Sequence, residues 1–440
     1  DGARYIAAAV QAGARVIAGE GERPGDLAAD ITYVRVADAR AAAAAAASRF
    51  YPRQPDTIVA VTGTSGKSSV AEFYRQIVAA MGFEAAAIGT LGVTTSAGTA
   101  YGSLTTPDPV SLHAALSDLA GKGVTHLAME ASSHGIDQRR LDGVRLSAAA
   151  FTNIGRDHLD YHKSEDAYID AKLKLFTTLL PQSGTAVLNA DGAHVERFAA
   201  TCRERGLKTL TTGRTGETLR LVSLAVRGFT QNLVVAAGTR QFPIPFPLPG
   251  AFQVENALVA AGLAVATLPF HEARQILSQL AFLKGVKGRL ERVGEINGAL
   301  CIVDYAHKPD GLVQVLETLR PFVSGRLICV FGCGGDRDRG KRPIMGDIAT
   351  RKADIVIVTD DNPRSEDPAA IRSEILAGAP GAEEIGDRRE AIFSAVKRLQ
   401  PGDILVVAGK GHETGQIVGD TVLPFSDDEE ILKAIKEFSP

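Results

Sequence analysis

The chain has 440 residues, 45% of them hydrophobic and 22% charged, an ordinary composition for a soluble globular protein of about two to four domains. Its formal net charge of −3 gives no general case for binding nucleic acid or an anionic membrane, and no apolar stretch reaches the roughly 18 residues of a membrane span. The four cysteines, Cys202, Cys301, Cys329 and Cys333, form no C-x-x-C pair, so reduced, mostly buried thiols in a cytoplasmic protein are expected.

The chain opens on Asp1 and a helical segment, RYIAAAVQAGARVIAGE, with no signal-peptide pattern. So abrupt a start is expected of a domain that lacks its front. Residues 1–52 read as helix, strand, loop, a short strand in ITYVRV and an alanine-rich helix around Ala41–Ala47. YPRQPD, from Tyr51 to Asp56, has the punctuation of a linker. Strands and helices then alternate: TIVAVTG, a helix from Ser68, THLAMEASS, RLSAAAFTN, a helix near Ala167–Leu180, and GTAVLN. Such alternation implies a parallel sheet. A β-rich insert follows at about 213–250, and a helix resumes over AFQVENALVAAGLAVA. Near GVKGRLERV the pattern restarts as a second α/β unit, roughly 287–440, with strands in ALCIVDYAH, RLICVFGC, ADIVIVTD and DILVVAGKG.

TIVAVTGTSGKSSVAEFYRQIVAA joins an apolar strand, a glycine-rich turn and an amphipathic helix. Backbone N–H groups in such a turn cradle phosphates, helped by the helix N-terminus. Lys67 would reach the outer phosphates and the Ser68 hydroxyl would hold Mg²⁺. The strict motif wants glycine at Val61, so the loop is the short variant Gly63-x-x-Gly66-Lys67-Ser68. A plain glycine turn is the alternative, but strand, turn, GKS and helix in that order argue against it. Glu130 ends one apolar strand, while Asp157, His158 and His162 follow another. Ligand-binding residues of parallel sheets gather at the carboxyl ends of strands, so Glu130 and His158 suit Mg²⁺ at the nucleotide. His158 and His162 are spaced to share zinc, but the zincin order needs Glu where Leu159 stands. Ser164 reads as the N-cap of a helix with acids in its first turn. On that helix Lys172 reads locally as a solvated lysine.

Taken together, TGTSGKSS, LTTPDP, MEASSHG, TNIGRDHLDYH, YIDAKLKLF, VENALVA, GRLERV, DYAHKPDG, FGCGGDRDRGKRP, DDNPRSEDP and AGKGHE resemble the Mur ligases, ATP-dependent amide-forming enzymes of peptidoglycan synthesis. These stretches cover nearly the whole chain in one order. The last three are similar to those of the members that add the third amino acid. The resemblance implies an α/β, three-domain architecture: a remainder of an N-terminal UDP-binding domain (1–52), a central P-loop ATPase domain with a parallel sheet (53–286) and a C-terminal Rossmann-like amino-acid-binding domain (287–440). It implies ATP bound by Gly63, Thr64, Ser65, Gly66, Lys67, Ser68 and Ser69, with Asn256 at adenine, Asp304 at ribose and Arg289 at phosphate. Mg²⁺ would be held by Ser68, Glu130, His158 and Lys172, the last carbamylated to N6-carboxylysine, which turns a cation into an anionic ligand. Lys67, Lys172, His158 and Arg289 would be catalytic. Thr105, Thr106, Ser132, Gln138 and Arg140 match positions that hold UDP-MurNAc-L-Ala-D-Glu. The family's "DSR"-like uridine residues have no match here. A cytoplasmic monomer is expected.

Amide formation needs a leaving group better than oxide, which ATP supplies as an acyl phosphate; the protein's part is positioning and charge neutralisation. The incoming amine must shed a proton, and His307 in DYAHKP could take it, although a loop-bonding histidine is the plainer role. Closure between domains is expected before chemistry. Three strands of the last domain end in GCGGDRDRGKRP, TDDNPR and AGKGHE, so their ends would bring Arg337, Arg339, Asn362, Arg364 and Glu413 to one edge. Arginine forks read carboxylates and Glu413 can pair with an ammonium. A ligand with two carboxylates and two amines, such as meso-diaminopimelate, fits this set; in the family DNPR goes with diaminopimelate, so the resemblance implies that ligand on Arg337, Asp361, Asn362, Pro363, Arg364, Gly409 and Glu413. A loop salt bridge is the plain alternative for Arg364. L-lysine as substrate, a folylpolyglutamate synthetase-like ligase, and a P-loop kinase or ATP-binding module are the alternatives for the chain.

Overall fold

The structure, a computed structural model, describes residues 2–100, 102, 104–155 and 161–439. Two compact units emerge: Asp1–Thr218 with Val259–Glu272, and Leu219–Leu258 with Ala273–Pro440. Among the described residues no helix is long and apolar enough to cross a membrane.

The first unit begins with α1 (Ile6–Gln11) and a parallel pair, β1 (Val16–Gly19) and β2 (Thr32–Arg35). α2 (Ala39–Phe50) covers the alanine run, and Asp38 caps it by accepting from Ala41 N. The main sheet of this unit takes β3 (Thr57–Thr62), β4 (Ala85–Gly89), β5 (Gly92–Thr95), β6 (Gly98–Ala100), β7 (His126–Glu130), β8 (Ala148–Phe151), β9 (Thr185–Asn189) and β10 (Lys208–Gly213) in the order β10-β9-β8-β3-β7-β4-β5-β6. From β10 to β4 the strands are parallel, with β3 central. Its helices are α3 (Lys67–Ala80), α4 (Pro109–Gly121), α5 (Ser133–Asp137), α6 (Glu165–Lys174) and α7 (Val195–Glu204). Ser164 caps α6 and accepts from Ala167 N. α6 stops short of Leu180, because Leu175–Leu179 form a π turn closed by Leu180 N donating to Leu175 O; this sinks Leu175 and Phe176 into the core.

α8 (Ala251–Thr267) begins in the second unit and ends in the first. The β-rich insert is a meander, β11 (Leu219–Arg227), β12 (Thr230–Ala237) and β13 (Arg240–Phe246), which belongs to the second unit together with α9 (Ala273–Ser278). The sheet of this unit contains β14 (Glu291–Ile296), β15 (Ala299–Asp304), β16 (Leu327–Phe331), β17 (Ile355–Val358), β18 (Glu383–Glu384) and β19 (Ile404–Ala408), ordered β14-β15-β19-β16-β17-β18. β14 is antiparallel and the rest are parallel. A period of two splits its core. Leu327, Cys329 and Phe331 face α10 (Pro309–Leu319), α11 (Lys341–Lys352) and α12 (Pro368–Leu376), while Ile328 and Val330 face α13 (Arg388–Lys397) and α14 (Asp427–Phe438). A sheet covered on both faces needs such unbroken apolar strands. A hairpin, β20 (Gly415–Val418) with β21 (Thr421–Pro424), follows β19 and is too short and exposed to announce itself in the sequence.

All four cysteines are buried and unpaired. Burial pushes the Cys202 thiol up to about 11 and those of Cys301, Cys329 and Cys333 up to about 12, so they remain protonated core residues.

Candidate active site

In the first unit the loop between β3 and α3 turns on Gly63 and Gly66, whose φ values of 148° and 87° suit glycine. A Cβ on Gly63 would lie 1.9 Å from Thr152 Oγ1, so no larger residue fits beside β8. Thr64 N donates to Asn153 O and Ser65 N to Asn153 Oδ1, at 2.8 and 3.1 Å. Thr64 Oγ1 accepts from Gly155 N at 2.9 Å and lies 3.0 Å from the Tyr168 hydroxyl. The loop is thus braced from β8 and α6. Ser68 and Ser69 open α3, with Ser69 buried. Lys67 Nζ donates to the carbonyls of Gly63 and Thr64, both at 2.9 Å.

Lys172 is not on the surface. It is 1% exposed, its ammonium donates to Gly63 O at 2.8 Å, and it lies 4.5 Å from the centroid of the Tyr168 ring. Two lysines therefore converge on one carbonyl of the phosphate-type loop. Glu130 ends β7, beside Val61 of β3, and is 3% exposed. Its Oε1 accepts from Thr90 N at 2.8 Å. Ser68 and Glu130 offer hard oxygen donors, the chemistry that Mg²⁺ takes. His158 and Asp157 lie outside the described residues. His162 is buried among the rings of His134, Tyr161 and Tyr168. Among the described residues no group of three or more His, Cys, Asp or Glu side chains could hold a metal ion.

The five residues expected at the sugar-nucleotide substrate share one hydrogen-bond network. Thr105 Oγ1 lies 3.0 Å from Thr90 Oγ1, which also bonds Glu130. Thr106 Oγ1 donates to Glu130 O and lies 3.0 Å from Ser132 Oγ, the cap of α5. Arg140 donates to Thr106 O and to Gln138 Oε1, both at 2.7 Å. Glu130 and this network therefore share one end of the sheet.

In the second unit a cavity of about 770 Å³ opens at the carboxyl ends of β15, β16, β17 and β19. Arg337, Asp361, Asn362, Arg364, Gly409 and Glu413 line it, as do Tyr305, His307, Lys308 and Lys341. Pro363 is buried behind the wall. Arg339 does not join them. It is 63% exposed and pairs with Glu374, because α12 carries that carboxylate outside the cavity. Arg364 has φ 52°, a left-handed backbone rare for arginine. The hairpin holds it there: Arg364 N donates to Ile417 O at 3.0 Å, and Gly419 N donates to Arg364 O at 2.7 Å. Its guanidinium donates to Gly335 O at 2.8 Å. Two residues on, Glu366 pairs with the fully buried Arg342 at 2.8 Å. That pairing holds the Glu366 carboxyl down to about 2. Gly335 admits Pro363, since a Cβ there would lie 1.9 Å from Pro363 O.

His307 is half-buried, and its Nδ1 donates to the Tyr305 carbonyl at 2.8 Å. A carbonyl only accepts, so the lone pair rests on Nε2. Burial, outweighing the Tyr305 carbonyl, with Lys341 and Lys308 adding to it, holds this imidazole below its ordinary value, so it is neutral near pH 7. Arg289 lies over the Tyr305 ring, 4.9 Å from its centroid. Asp304 spends one oxygen on Leu290 N and the other on Ala306 N, at 2.7 and 2.8 Å; burial raises its carboxyl above the usual range. Asn256 is buried on α8. Two groups escaped the sequence reading. Lys410, inside AGKGHE, is wholly buried against Asn362 and Glu413. Arg388 is wholly buried and bridges Asp427, Ala408 O and Asp360 O.

Comparison with known proteins adds a second line. Residues 61–264 match the Mur ligase middle domain and residues 288–411 the Mur ligase glutamate ligase domain. A protein of Bradyrhizobium diazoefficiens named UDP-N-acetylmuramoyl-L-alanyl-D-glutamate--2,6-diaminopimelate ligase is 54% identical over 99% of this chain and 90% of its own length. One of the same name from Brucella melitensis is 56% identical over 99% of this chain and 89% of its own. A solved structure bearing that name superposes with a TM-score of 0.72 at 34% identity, covering 99% of this chain and 89% of the other. Folylpolyglutamate synthase of Mycobacterium tuberculosis shares the fold at a TM-score of 0.67 and 18% identity, over 84% of this chain and 92% of its own.

Proposed function

This chain belongs to the Mur ligase family, and from that premise we propose that it is an ATP-dependent ligase joining meso-diaminopimelate to the D-Glu γ-carboxylate of UDP-MurNAc-L-Ala-D-Glu in peptidoglycan precursor synthesis. Relatives above half identity carry the name of that reaction, whereas folylpolyglutamate synthase shares only the fold. The observation that carries the amino-acid assignment is the cavity where Arg337, Asn362, Arg364 and Glu413 meet. Two carboxylates and two ammoniums match two arginines, an amide and an acid; L-lysine would leave an arginine without a carboxylate.

The reaction runs in two stages. The γ-phosphoryl of ATP passes to the substrate carboxylate, giving an acyl phosphate and ADP; the amine then attacks the acyl carbon and inorganic phosphate leaves. Lys67 and the N–H groups from Gly66 to Ser69 hold and neutralise phosphate oxygens, and Arg289 adds a further cation. Asn256 serves adenine and Asp304 ribose. Mg²⁺, when bound, supplies charge neutralisation at the phosphates; Ser68, Glu130, His158 and Lys172 as a carbamate would hold it. Carbamylation joins CO₂ to the neutral Lys172 amine and releases a proton. Thr105, Thr106, Ser132, Gln138 and Arg140 hold the UDP-MurNAc-dipeptide. His307 Nε2 takes the proton that the attacking amine sheds. Segment 53–286 carries the phosphate loop and the dipeptide residues, segment 287–440 carries the amino-acid residues and adds Arg289 and Asp304 for the nucleotide, and the water-soluble substrates support a cytoplasmic setting.

The deciding experiment gives the protein ATP, Mg²⁺ and UDP-MurNAc-L-Ala-D-Glu with one amino acid at a time. Phosphate release is expected with meso-diaminopimelate. Release with L-lysine alone, or ATP turnover indifferent to any amine, overturns the reading.

A further inference from the structure

Lys410 stands two residues beyond β19, and its side chain is wholly buried behind the wall of the amino-acid cavity, which it does not line. Its ammonium donates to Asn362 Oδ1 at 2.9 Å and to Glu413 Oε2 at 3.3 Å. Ile417 N also donates to Asn362 Oδ1, at 2.9 Å. Two donors meet one atom of the amide, and an amide NH₂ in its place could accept from neither. The Asn362 amide is therefore held in one of its two orientations, with Nδ2 donating to Glu413 Oε2 at 2.8 Å.

That arrangement decides what the pair can offer a ligand. Asn362 Oδ1 already receives two donors and Glu413 Oε2 receives two. What remains is one Nδ2 hydrogen and the other carboxylate oxygen of Glu413. A donor beside an anionic acceptor is the complement of a carboxylate beside an ammonium, the two charged groups on one amino-acid carbon. Turning the amide over would set an acceptor where the carboxylate belongs and an NH₂ against the Lys410 ammonium.

We infer that Lys410 is a positioning residue that sets the polarity of this subsite: it holds Asn362 and Glu413 so that one stereocentre is read as carboxylate on Asn362 and ammonium on Glu413. The inference rests on the ligase reading above. Lys410 touches no substrate; it acts through the two side chains it bonds.

The test compares Lys410→Met, which keeps the stem and loses every donor, with the full-length parent. The expected result is a KM for meso-diaminopimelate about 30-fold higher, with the KM for ATP within about twofold and kcat within about threefold, the size of one lost charged hydrogen bond at a binding subsite. The preference for meso- over LL-diaminopimelate, which differ only in how carboxylate and ammonium are set at one carbon, should shrink as well. A merely structural lysine would move stability and leave that preference intact. Should Lys410→Met not fold, Asn362→Asp decides: nearly isosteric and still paired with Lys410, it replaces the Nδ2 donor with an acceptor and should lose the meso preference. A parent that releases phosphate with diaminopimelate, together with a folded variant of unchanged isomer preference, overturns the inference alone. A parent indifferent to diaminopimelate overturns the ligase reading instead.

Discussion

The ammonium of Lys172 donates to the carbonyl oxygen of Gly63 across 2.8 Å, so a lysine far along the chain is held against the turn that would cradle phosphate. A buried lysine one carbon dioxide away from a carboxylate belongs to the proposed nucleotide chemistry, whereas its local sequence reads as a surface helix. Lys172→Ala should lower kcat about 100- to 1,000-fold, the usual cost of removing one group that stabilises charge in the transition state. Acetate or propionate in the assay should restore part of that loss. A mutant with parental rates would remove Lys172 from the mechanism.

Arg364 carries the second prediction. Arg364→Ala should raise the KM for diaminopimelate about 100-fold, the loss of a charge-assisted fork, and leave the KM for ATP within about twofold. Arg364→Lys should recover little, because a point charge does not replace two parallel donors. Alanine also carries the strain of φ 52°, of the order of 1 kcal/mol, which asparagine tolerates better. Arg364→Asn should therefore melt closer to the parent than Arg364→Ala while showing the same KM defect. Equal losses of ATP and diaminopimelate affinity would contradict the assignment.

The Arg388–Asp427 pair makes the third. Neither side chain is exposed, and the guanidinium donates to both carboxylate oxygens, at 2.7 and 2.8 Å. Asp427→Asn leaves the arginine charge buried without its counter-ion and should cost about 3–5 kcal/mol, read as a lower urea midpoint. Replacing both by apolar residues, Arg388→Met with Asp427→Leu, should cost less than the single change.

The fourth concerns pH. Burial first, then Arg289 and Lys287, holds the His412 imidazole down to about 4 in the folded chain. Between its ordinary value near 6.5 and about 4 the unfolded chain binds a proton that folded His412 refuses. Stability should therefore fall as pH drops through that window and level off below it. His412→Gln should flatten the fall in Tm between pH 7 and 5 without abolishing it, since burial also holds His113, His126 and His307 below their ordinary value. An unchanged slope in the variant would refute the assignment.

Much of this is legible in the amino-acid sequence. Apolar strands alternating with helices specify a parallel sheet, and a glycine turn before Lys67-Ser68 specifies a loop that can hold phosphate. What stayed hidden depends on partners distant in sequence or on weak local pattern. Arg388 meets Asp427 across 39 residues, and no periodicity encodes that pairing. β20 and β21 are short and mostly exposed, so neither carries the alternation that marks a strand. Pro363 restrains its own backbone and that of Asn362, but the left-handed turn at Arg364 is held by the hairpin. Lys410 lay inside a motif already singled out, yet a lysine in a glycine-rich turn gives no local sign that it is buried. The misplacement of Arg339 has the same origin: Glu374, which draws it away, sits on a helix 35 residues on.

The bonds from the hairpin to Arg364 run between main-chain atoms, Arg364 N to Ile417 O and Gly419 N to Arg364 O. They use no side-chain atom, and on the hairpin side only Gly419, at φ 57°, sits in a backbone that favours one residue type. The side chains of Val418, Val422 and Leu423 are consequently free to be rewritten, for labelling, for solubility or as the mount for a fused module, while the arginine keeps its aim. In this protein the aiming device and the surface available to an engineer are the same ribbon of chain.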